Sequence, residues 1–233
     1  HVLGMRYLHI AQWNNSQKRV QTGMVQQQTL EKNSTMLDRV VADYKIRVAY
    51  DIGAHKGQFV ERMKHYLPRT EFHQFEASPG KRGSGNWHSV VLSHIDDASV
   101  TFYHDGGTGD TYYRETDEFL KSNYRTTIMQ TKRLDTYIKD NNIPLPDLIK
   151  IDVQGAELDV LRGCNEILQH CKVIHCEIPA KGIEFNKGSP TQEEYIAFLE
   201  YHGFTYKWKE KDHKRNGKLI VQHDYVFAKK DMI

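Results

Sequence analysis

Carboxylates follow two predicted strands at the positions where an α/β sheet carries its chemistry. Asp152 ends the apolar run at residues 148–151 and stands directly before a helical pattern, and Glu177 lies near the end of the next predicted strand, residues 172–178. Ligands of such sheets bind outside the carboxyl ends of the strands. The two carboxylates are therefore candidates for a general base, which we favour, or for ligands of a divalent cation that would acidify an alcohol.

A glycine-containing turn follows the first predicted strand, residues 47–52, in the segment DIGAHKGQF. Gly53 can adopt a positive φ in a tight turn, and Gly57 permits close packing of a helix on a strand. Asp51 ends the strand with an acceptor for a polar ligand. The glycine spacing differs from the G-x-G-x-x-G dinucleotide fingerprint and from a P-loop, and by itself it is also typical of a packing turn in any α/β domain.

A further carboxylate, Glu76, ends the second predicted strand, residues 71–76. A carboxylate at this position can accept hydrogen bonds from both hydroxyls of a ribose. The alternative is a charge in a solvated loop. Together with the turn at Gly53, Glu76 favours a nucleoside-containing ligand.

Strand and helix patterns alternate from Lys45 onward, which predicts an α/β domain. Strands are predicted at residues 47–52, 71–76, 88–93, 99–103, 148–151 and 172–178, and helices at residues 56–67 and 134–140 and after Asp152. Upstream of the first strand, Leu37, Val41 and Tyr44 define one apolar helical face. We expect residues 1–46 to form a helical extension or linker and residues 47–233 to form the domain.

The helix between the second and third strands is predicted to be missing. Only residues 77–87 connect these strands, and Gly80, Gly83 and Gly85 oppose a helix there, whereas a parallel crossover usually needs about a dozen residues or more. One face of the sheet is therefore expected to be covered by the N-terminal segment or by a partner.

The C-terminal elements are predicted from capping and hydrophobic signals. Ser189 is expected to cap a helix with Gln192 completing a capping box, and Gly203 to end it. Residues 204–208 and 225–228 then predict an antiparallel pair joined by a charged loop.

Composition indicates a single domain with a substantial core. The chain has 233 residues, 39% hydrophobic and 27% charged, with a net charge of +2. It contains no run of about 18 apolar residues and no compact apolar N-terminal block, so we expect a cytoplasmic protein without a membrane span. Because the chain opens with His1 and has an internal Met5, we expect one module of a longer protein.

Two further segments carry alternatives that the composition disfavours. Cys164, Cys171 and Cys176 lack the CxxC spacing of a zinc site; we place the first two on one helix and the third on a strand, as buried neutral thiols. The basic, aromatic-flanked residues 207–215 raise a nucleic-acid alternative. Their interspersed acids and the near-neutral total charge instead favour a solvated hairpin loop and no nucleic-acid partner.

Four motifs occur in a fixed order along the chain: DIGAHKGQF from Asp51, FEASP from Phe75, LDTYI from Leu134 and DLIKIDVQGAELDVLRG from Asp147. In content, order and spacing they resemble the FkbM family of S-adenosylmethionine-dependent methyltransferases. The resemblance covers residues 48–178. The chain differs from the family pattern at His55, where Asn is usual, and at Gln154, where Glu is usual.

The resemblance implies a three-layer α/β fold with a Rossmann-like, seven-stranded methyltransferase sheet that is mostly parallel and has an antiparallel C-terminal strand. It implies S-adenosylmethionine as the cofactor. Asp152 and Glu177 are our candidates for the catalytic pair and, alone or with His55, for the ligands if a divalent cation is used. The cofactor-binding residues implied are Asp51, Gly53, Ala54, His55, Gly57, Phe59, Glu76, Ala77, Ser78, Ser93 and Asp152.

The function implied is O-methylation of a sugar hydroxyl, such as that of the deoxyhexose rhamnose, in a glycan or glycoconjugate. The acceptor partner would be a small molecule or an oligosaccharide, and further domains of a longer glycan-assembly protein would be additional partners. We expect the polar and aromatic residues 104–113 to cover the acceptor. An NAD-linked oxidoreductase and a catalytically silent module that binds a nucleoside or a partner stay open as alternatives.

Overall fold

The computed structural model describes residues 35–78, 85–104, 107, 109–117, 119 and 124–229. From Met36 onward the chain forms one compact unit. Its helices are α1 (Met36–Ala42), α2 (Gln58–Met63), α3 (Leu134–Asp140), α4 (Glu157–Arg162), α5 (Asn165–His170) and α6 (Gln192–Tyr201). Its strands are β1 (Val48–Ile52), β2 (Glu71–Phe75), β3 (Asn86–His88), β4 (Val91–Leu92), β5 (Ser99–His104), β6 (Arg125–Lys132), β7 (Leu148–Ile151), β8 (Val173–Pro179), β9 (Phe204–Arg215) and β10 (Leu219–Lys229).

The main sheet has seven strands in the order β3-β2-β1-β7-β8-β10-β9. The first five are parallel, and β10 pairs antiparallel with both β8 and β9. This arrangement confirms the predicted mostly parallel sheet with an antiparallel C-terminal strand. Because β1, β2, β7 and β8 are parallel, their carboxyl ends meet at one edge of the sheet.

Apolar residues cover both faces of the central strands, as expected for parallel strands between layers of helices. On β7, Leu148 packs in one cluster and Ile149 and Ile151 in the other. Helices α3 to α6 cover the second of these faces. No helix in the described part of the chain is long and apolar enough to cross a membrane.

Helices α1 and α2 cover the opposite face. Leu37, Val41 and Tyr44 share one buried cluster with Val60 and Met63 of α2. Residues 36–44, the described part of the N-terminal segment that packs here, therefore cover the face for which the sequence predicted missing helical cover. Within that predicted gap, residues 79–84 lie outside the described residues, and the neighbouring residues 77, 78 and 85–87 form no helix.

The predicted strand at residues 88–93 was wrong in its extent. The chain instead forms β3 at the edge of the main sheet and then β4, which joins a separate sheet in the order β4-β6-β5. Strand β6, which the sequence did not predict, pairs antiparallel with β5. Most of β6 is exposed, so it lacks the apolar alternation that would have indicated it.

Two C-terminal predictions were also wrong in detail. Residues 209–215 continue β9 instead of forming a loop, and the hairpin turns at Asn216 and Gly217, with φ values of 51° and 70°. Thr191, not Ser189, caps α6, in a capping box with Glu194. The three cysteines are buried thiols, as predicted, but Cys164 and Cys171 flank α5 instead of lying on one helix.

The corrected cap gives a stability test. Thr191 Oγ1 accepts from the Glu194 backbone N–H and the Glu194 carboxylate accepts from the Thr191 backbone N–H, so Thr191→Ala should lower the free energy of unfolding by about 1 kcal/mol. Ser189→Ala, the matched control, should change it by less than about 0.5 kcal/mol. Denaturant unfolding measures both; the reverse ranking would contradict the assigned cap.

Candidate functional site

A cavity of about 700 Å³ opens at the carboxyl ends of β1, β2, β7 and β8. Of the predicted site residues, Gly53, Ala54, His55, Phe59, Glu76, Ala77, Ser78, Asp152 and Glu177 line it. Asp51, Gly57 and Ser93 do not line it. Asp51 contacts the lining residue Lys150, and the Gly57 N–H donates to the carbonyl of the lining residue Ala54. The Ser93 hydroxyl accepts a hydrogen bond from the Tyr112 hydroxyl, 3.2 Å away, in the cavity wall.

The glycine turn brings two strand ends into close contact. Gly53 has the predicted positive φ, 75°, and a Cβ there would lie 1.8 Å from the Asp152 carbonyl oxygen. The backbone N–H groups of Gly53 and Ala54 donate to the Phe75 carbonyl at 2.9 and 3.1 Å. The turn is therefore held against both β2 and the loop after β7, and any side chain at Gly53 would separate them.

Glu76 is held on the same side by backbone donors. Its Oε2 accepts from the His55 N–H at 2.8 Å and its Oε1 from the Ser78 N–H at 3.0 Å. A carboxylate oxygen can accept more than one hydrogen bond, so each oxygen keeps acceptor capacity toward the cavity. The arrangement fits a ligand with two neighbouring hydroxyls, such as a ribose.

A buried lysine that the sequence reasoning missed lies beneath the turn. Lys150 Nζ donates to the Gly53 carbonyl at 2.9 Å and lies 3.2 Å from Asp51 Oδ1 and 3.5 Å from Asp152 Oδ2. Burial would lower the pKa of Lys150, but the two carboxylates raise it above its usual range. Burial raises the pKa of Asp51, and Lys150 opposes that effect. A charged residue inside the otherwise apolar run LIKI was the available signal.

The predicted pair Asp152 and Glu177 converges on one amide. Gln154 Nε2 donates to Asp152 Oδ1 at 2.8 Å and to Glu177 Oε2 at 3.0 Å. Burial would raise the pKa of Asp152, but Lys150 and the Gln154 amide hold it below its ordinary value. Burial, and then the charge of Asp152, raises the pKa of Glu177 well above its usual range. Two adjacent acids thus differ in their tendency to hold a proton.

Glu157 supports the loop that carries Gln154. Its carboxylate accepts from the backbone N–H groups of Val153 at 2.9 Å and Gly155 at 3.0 Å, and from the Tyr195 hydroxyl at 3.0 Å. Burial raises the pKa of Glu157 to about 7, and the backbone donors oppose this. These contacts hold Gln154 at a positive φ of 57°, so Glu157 caps the loop.

The segment predicted to cover the acceptor contributes to the cavity wall. Asp110, Thr111 and Tyr112 line it, while residues 105, 106 and 108 lie outside the described residues. Ser78 Oγ donates to Asp110 Oδ2 at 2.5 Å, and His104 Nδ1 lies 3.1 Å from the same oxygen. The segment is thereby joined to the loop after β2.

The C-terminal hairpin supplies two cavity residues that the sequence reasoning assigned to a solvated loop. Lys211 and His213 of β9 line the main cavity and a smaller one of about 310 Å³ beside it. His213 Nε2 lies 2.8 Å from Asp224 Oδ1 and 3.3 Å from Glu177 Oε1. Residues 209–215 are all polar or charged, so no apolar alternation indicated that this segment is a strand.

Two sets of side chains bring ligand atoms close enough for a cation. Within each set, Glu177–His213–Asp224 and Asp152–Glu157–Glu177, these atoms lie within 4.8 Å of one another. All of these groups also have hydrogen-bond or ion-pair partners inside the protein. Both a metal-assisted and a metal-free reaction are therefore compatible with the donor set.

Comparison with known proteins agrees with the geometry. The sequence model described as "Methyltransferase FkbM domain" matches residues 51–206. The 2-O-methyltransferase NoeI of Sinorhizobium fredii (strain NBRC 101917 / NGR234) is 26% identical over 152 residues, which are 56% of this chain and 62% of the length of that relative.

Solved structures with similar chain traces include magnesium protoporphyrin IX methyltransferase (ChlM) from Synechocystis PCC 6803 with bound SAM. It is 10% identical, with a TM-score of 0.44, over 92% of this chain and 83% of that chain. A S-adenosylmethionine-dependent methyltransferase from Clostridium acetobutylicum ATCC 824 is also 10% identical, with a TM-score of 0.42, over 91% of this chain and 98% of that chain.

The strand order, the glycine turn and Glu76 define the α/β class of S-adenosylmethionine-dependent methyltransferases. Within that class, the chain belongs to the FkbM methyltransferase family. The cofactor of this family is S-adenosylmethionine, and the cavity fits it, since Glu76 presents two acceptors and the turn at Gly53 presents backbone beside them.

Gly53 can be tested against a glycine of equal φ. Gly188 also has φ 75°, but a Cβ there would meet nothing within 4 Å. Gly188→Ala should therefore cost only the backbone strain, about 1–2 kcal/mol of unfolding free energy, and leave S-adenosylmethionine binding unchanged. Gly53→Ala should cost more and weaken donor binding at least about tenfold, because the Asp152 carbonyl must move. Equal effects of the two substitutions on calorimetric donor binding would contradict this role of the turn.

Proposed function

We propose that this chain transfers a methyl group from S-adenosylmethionine to a sugar hydroxyl of a glycan or glycoconjugate. The observation that carries the proposal is the convergence of Asp152 and Glu177 on Gln154 at the acceptor side of the cavity. Carboxylate and amide groups in one wall are suited to binding and orienting a hydroxyl. The relative NoeI, named a 2-O-methyltransferase, supports an oxygen acceptor.

The donor half of the site is supplied by the parallel strands. We assign the ribose hydroxyls to Glu76 and the adenine to the apolar wall formed by Val90, Val91, Leu92 and Phe102. Bound S-adenosylmethionine supplies a methyl group on a positively charged sulfur. The predicted residues Gly53, Ala54, His55, Phe59, Ala77 and Ser78 complete this half, with Asp51, Gly57 and Ser93 behind it.

The residues that we propose to bind the acceptor come from the loop after β7 and from the C-terminal strands. Asp152 is held ionised by Lys150, so it can accept a hydrogen bond from an acceptor hydroxyl and orient it. Glu177 offers a second oxygen in the same wall. Their roles as general base or as ligands of a divalent cation stay proposals. Orientation of this kind accounts for much of the rate in reactions whose electrophile is already activated.

The identity of the acceptor sugar, the partners and the cellular location are also part of the proposal. A deoxyhexose such as rhamnose is one acceptor whose hydroxyls could bind to the polar groups of Asp152, Gln154 and Glu177. An oligosaccharide partner, further domains of a glycan-assembly protein and a cytoplasmic location remain predictions.

Donor binding tests the proposed site directly. Both Glu76 oxygens accept backbone N–H groups, so an amide at this position would lose one acceptor and face a donor. Glu76→Gln should weaken S-adenosylmethionine binding about 10- to 100-fold by calorimetry. The control Glu71→Gln, at the exposed start of the same strand, should change it less than about twofold. Binding of NAD in preference to S-adenosylmethionine would favour the oxidoreductase alternative.

Mass spectrometry of hydroxylated acceptors tests the reaction. We expect the gain of one methyl group on a glycan incubated with the protein and S-adenosylmethionine. Asp152→Asn should retain donor binding but lower kcat about 10-fold or more, because the acceptor loses a charged partner. The exposed Asp43→Asn is the control and should retain full activity. Tight donor binding without methyl transfer to any acceptor would favour the silent binding module.

A further inference from the structure

His213 lies between the two carboxylates of the C-terminal strands and the cavity. Its Nε2 lies 2.8 Å from Asp224 Oδ1 on β10 and 3.3 Å from Glu177 Oε1 on β8. The ring lines both cavities, and 28% of its side chain is exposed. It therefore contacts the space that an acceptor would enter and is held by a neighbouring strand.

The contacts of His213 determine which ring nitrogen can accept a proton. With two carboxylate oxygens next to Nε2, the neutral imidazole keeps its hydrogen on that atom and donates it to Asp224. Nδ1 then carries the lone pair, and among the described residues no hydrogen bond is made to it. His213 is thus a neutral base with an oriented ring.

The two carboxylates predicted as bases are occupied by other donors. Asp152 accepts from Gln154 and contacts Lys150, and both partners favour its ionised, weakly basic form. Glu177 Oε2 accepts from the amides of Gln154, at 3.0 Å, and Gln222, at 2.7 Å, while its other oxygen faces His213. Asp152, with 39% of its side chain exposed, can therefore bind the hydroxyl as an ionised, weakly basic acceptor, whereas Nδ1 of His213 receives no hydrogen bond from the described residues.

We propose that His213 Nδ1 is the general base that takes the proton of the acceptor hydroxyl, with Asp224 as the residue that positions the ring. The inference rests on the proposed function. The acceptor oxygen forms a bond to the methyl carbon, and the bond from that carbon to sulfur breaks with its electron pair remaining on sulfur. The hydroxyl proton moves to Nδ1, so the products are a methyl ether, S-adenosylhomocysteine and an imidazolium that later releases its proton to water.

Charged side chains line the space around the ring. Asp224 and Glu177 face it from β10 and β8, Asp152 and Lys150 lie at the end of β7, Lys211 is on its own strand and Arg62 is on α2. These three carboxylates and three cations are equal in number. The ring is therefore oriented by its contacts with Asp224 and Glu177, not by an excess of one charge.

The same hairpin provides a matched control. His223 Nδ1 lies 2.7 Å from Asp212 Oδ1, which repeats the pairing of a histidine with an aspartate across β9 and β10. His223 lines neither cavity. His213→Ala and His223→Ala therefore remove the same kind of ring and ion pair, but only the first removes a base from the site.

The experiment measures methyl transfer to an acceptor identified by mass spectrometry, together with donor binding. His213→Ala should bind S-adenosylmethionine as the wild type does, but its kcat should be lower by about 100-fold or more. Added imidazole should raise the kcat of this variant about tenfold or more. His223→Ala should stay within about twofold of the wild type. Asp224→Asn should lower kcat about tenfold and leave the KM for the acceptor unchanged, because the ring loses the carboxylate that positions it.

Other results would overturn the inference. Retention of kcat by folded His213→Ala, or a loss of kcat that imidazole does not restore, would exclude His213 as the base. Loss of activity in a chelator, with recovery on adding Mg²⁺ or Mn²⁺, would instead assign His213 to a metal site with Glu177 and Asp224. If the wild type binds the donor but methylates no acceptor, the proposed function fails together with this inference, whereas the other outcomes reject His213 alone.

Discussion

The site depends on one buried ion cluster, in which Lys150 lies between Asp51 and Asp152. An isolated ammonium at this depth would cost several kcal/mol, but Lys150 Nζ has two carboxylates and the Gly53 carbonyl within 3.5 Å. These partners lie on β1 and on the loop after β7. The cluster therefore holds the donor-binding turn next to the acceptor carboxylate, and removing Lys150 would leave two neighbouring carboxylates without their shared cation.

The same cluster makes the two carboxylates of the cavity, Asp152 and Glu177, differ in their tendency to ionise. Lys150 keeps Asp152 charged, whereas Glu177, one strand further along the sheet, lacks a comparable cation and receives the amides of Gln154 and Gln222. Burial, and then the charge of Asp152, raise the pKa of Glu177, so Glu177 resists ionisation although the two amides favour its charged form. An acidic residue at position 154 would add a further negative charge between these two carboxylates. The observed glutamine joins them instead, and so stabilises the acceptor wall.

Sequence reasoning succeeded where a residue pattern has one physical meaning. The apolar residues Leu148, Ile149 and Ile151 predict a strand buried on both faces, and a glycine close to a carboxylate predicted the turn after β1. It failed where contacts with other segments of the same chain determine the local structure. Strand β6 is mostly exposed and pairs with β5 without an apolar pattern, and Thr191 competes with Ser189 for the same helix end. The turn at Asn216-Gly217 could have been predicted from the sequence, because this dipeptide is typical of tight hairpins.

Register explains why the acceptor half was harder to predict than the donor half. The donor motifs act through backbone and turn geometry, which short segments encode locally. His213 and Asp212 are adjacent on β9, and strand alternation sends them to opposite faces, so a shift of one residue would exchange them. Irregularities in the pairing of β9 with β10, between Ile220 and Gln222 and between Asp224 and Tyr225, determine which face each residue occupies. A change of register in this hairpin would therefore alter the acceptor wall while the donor turn and Glu76 stayed in place.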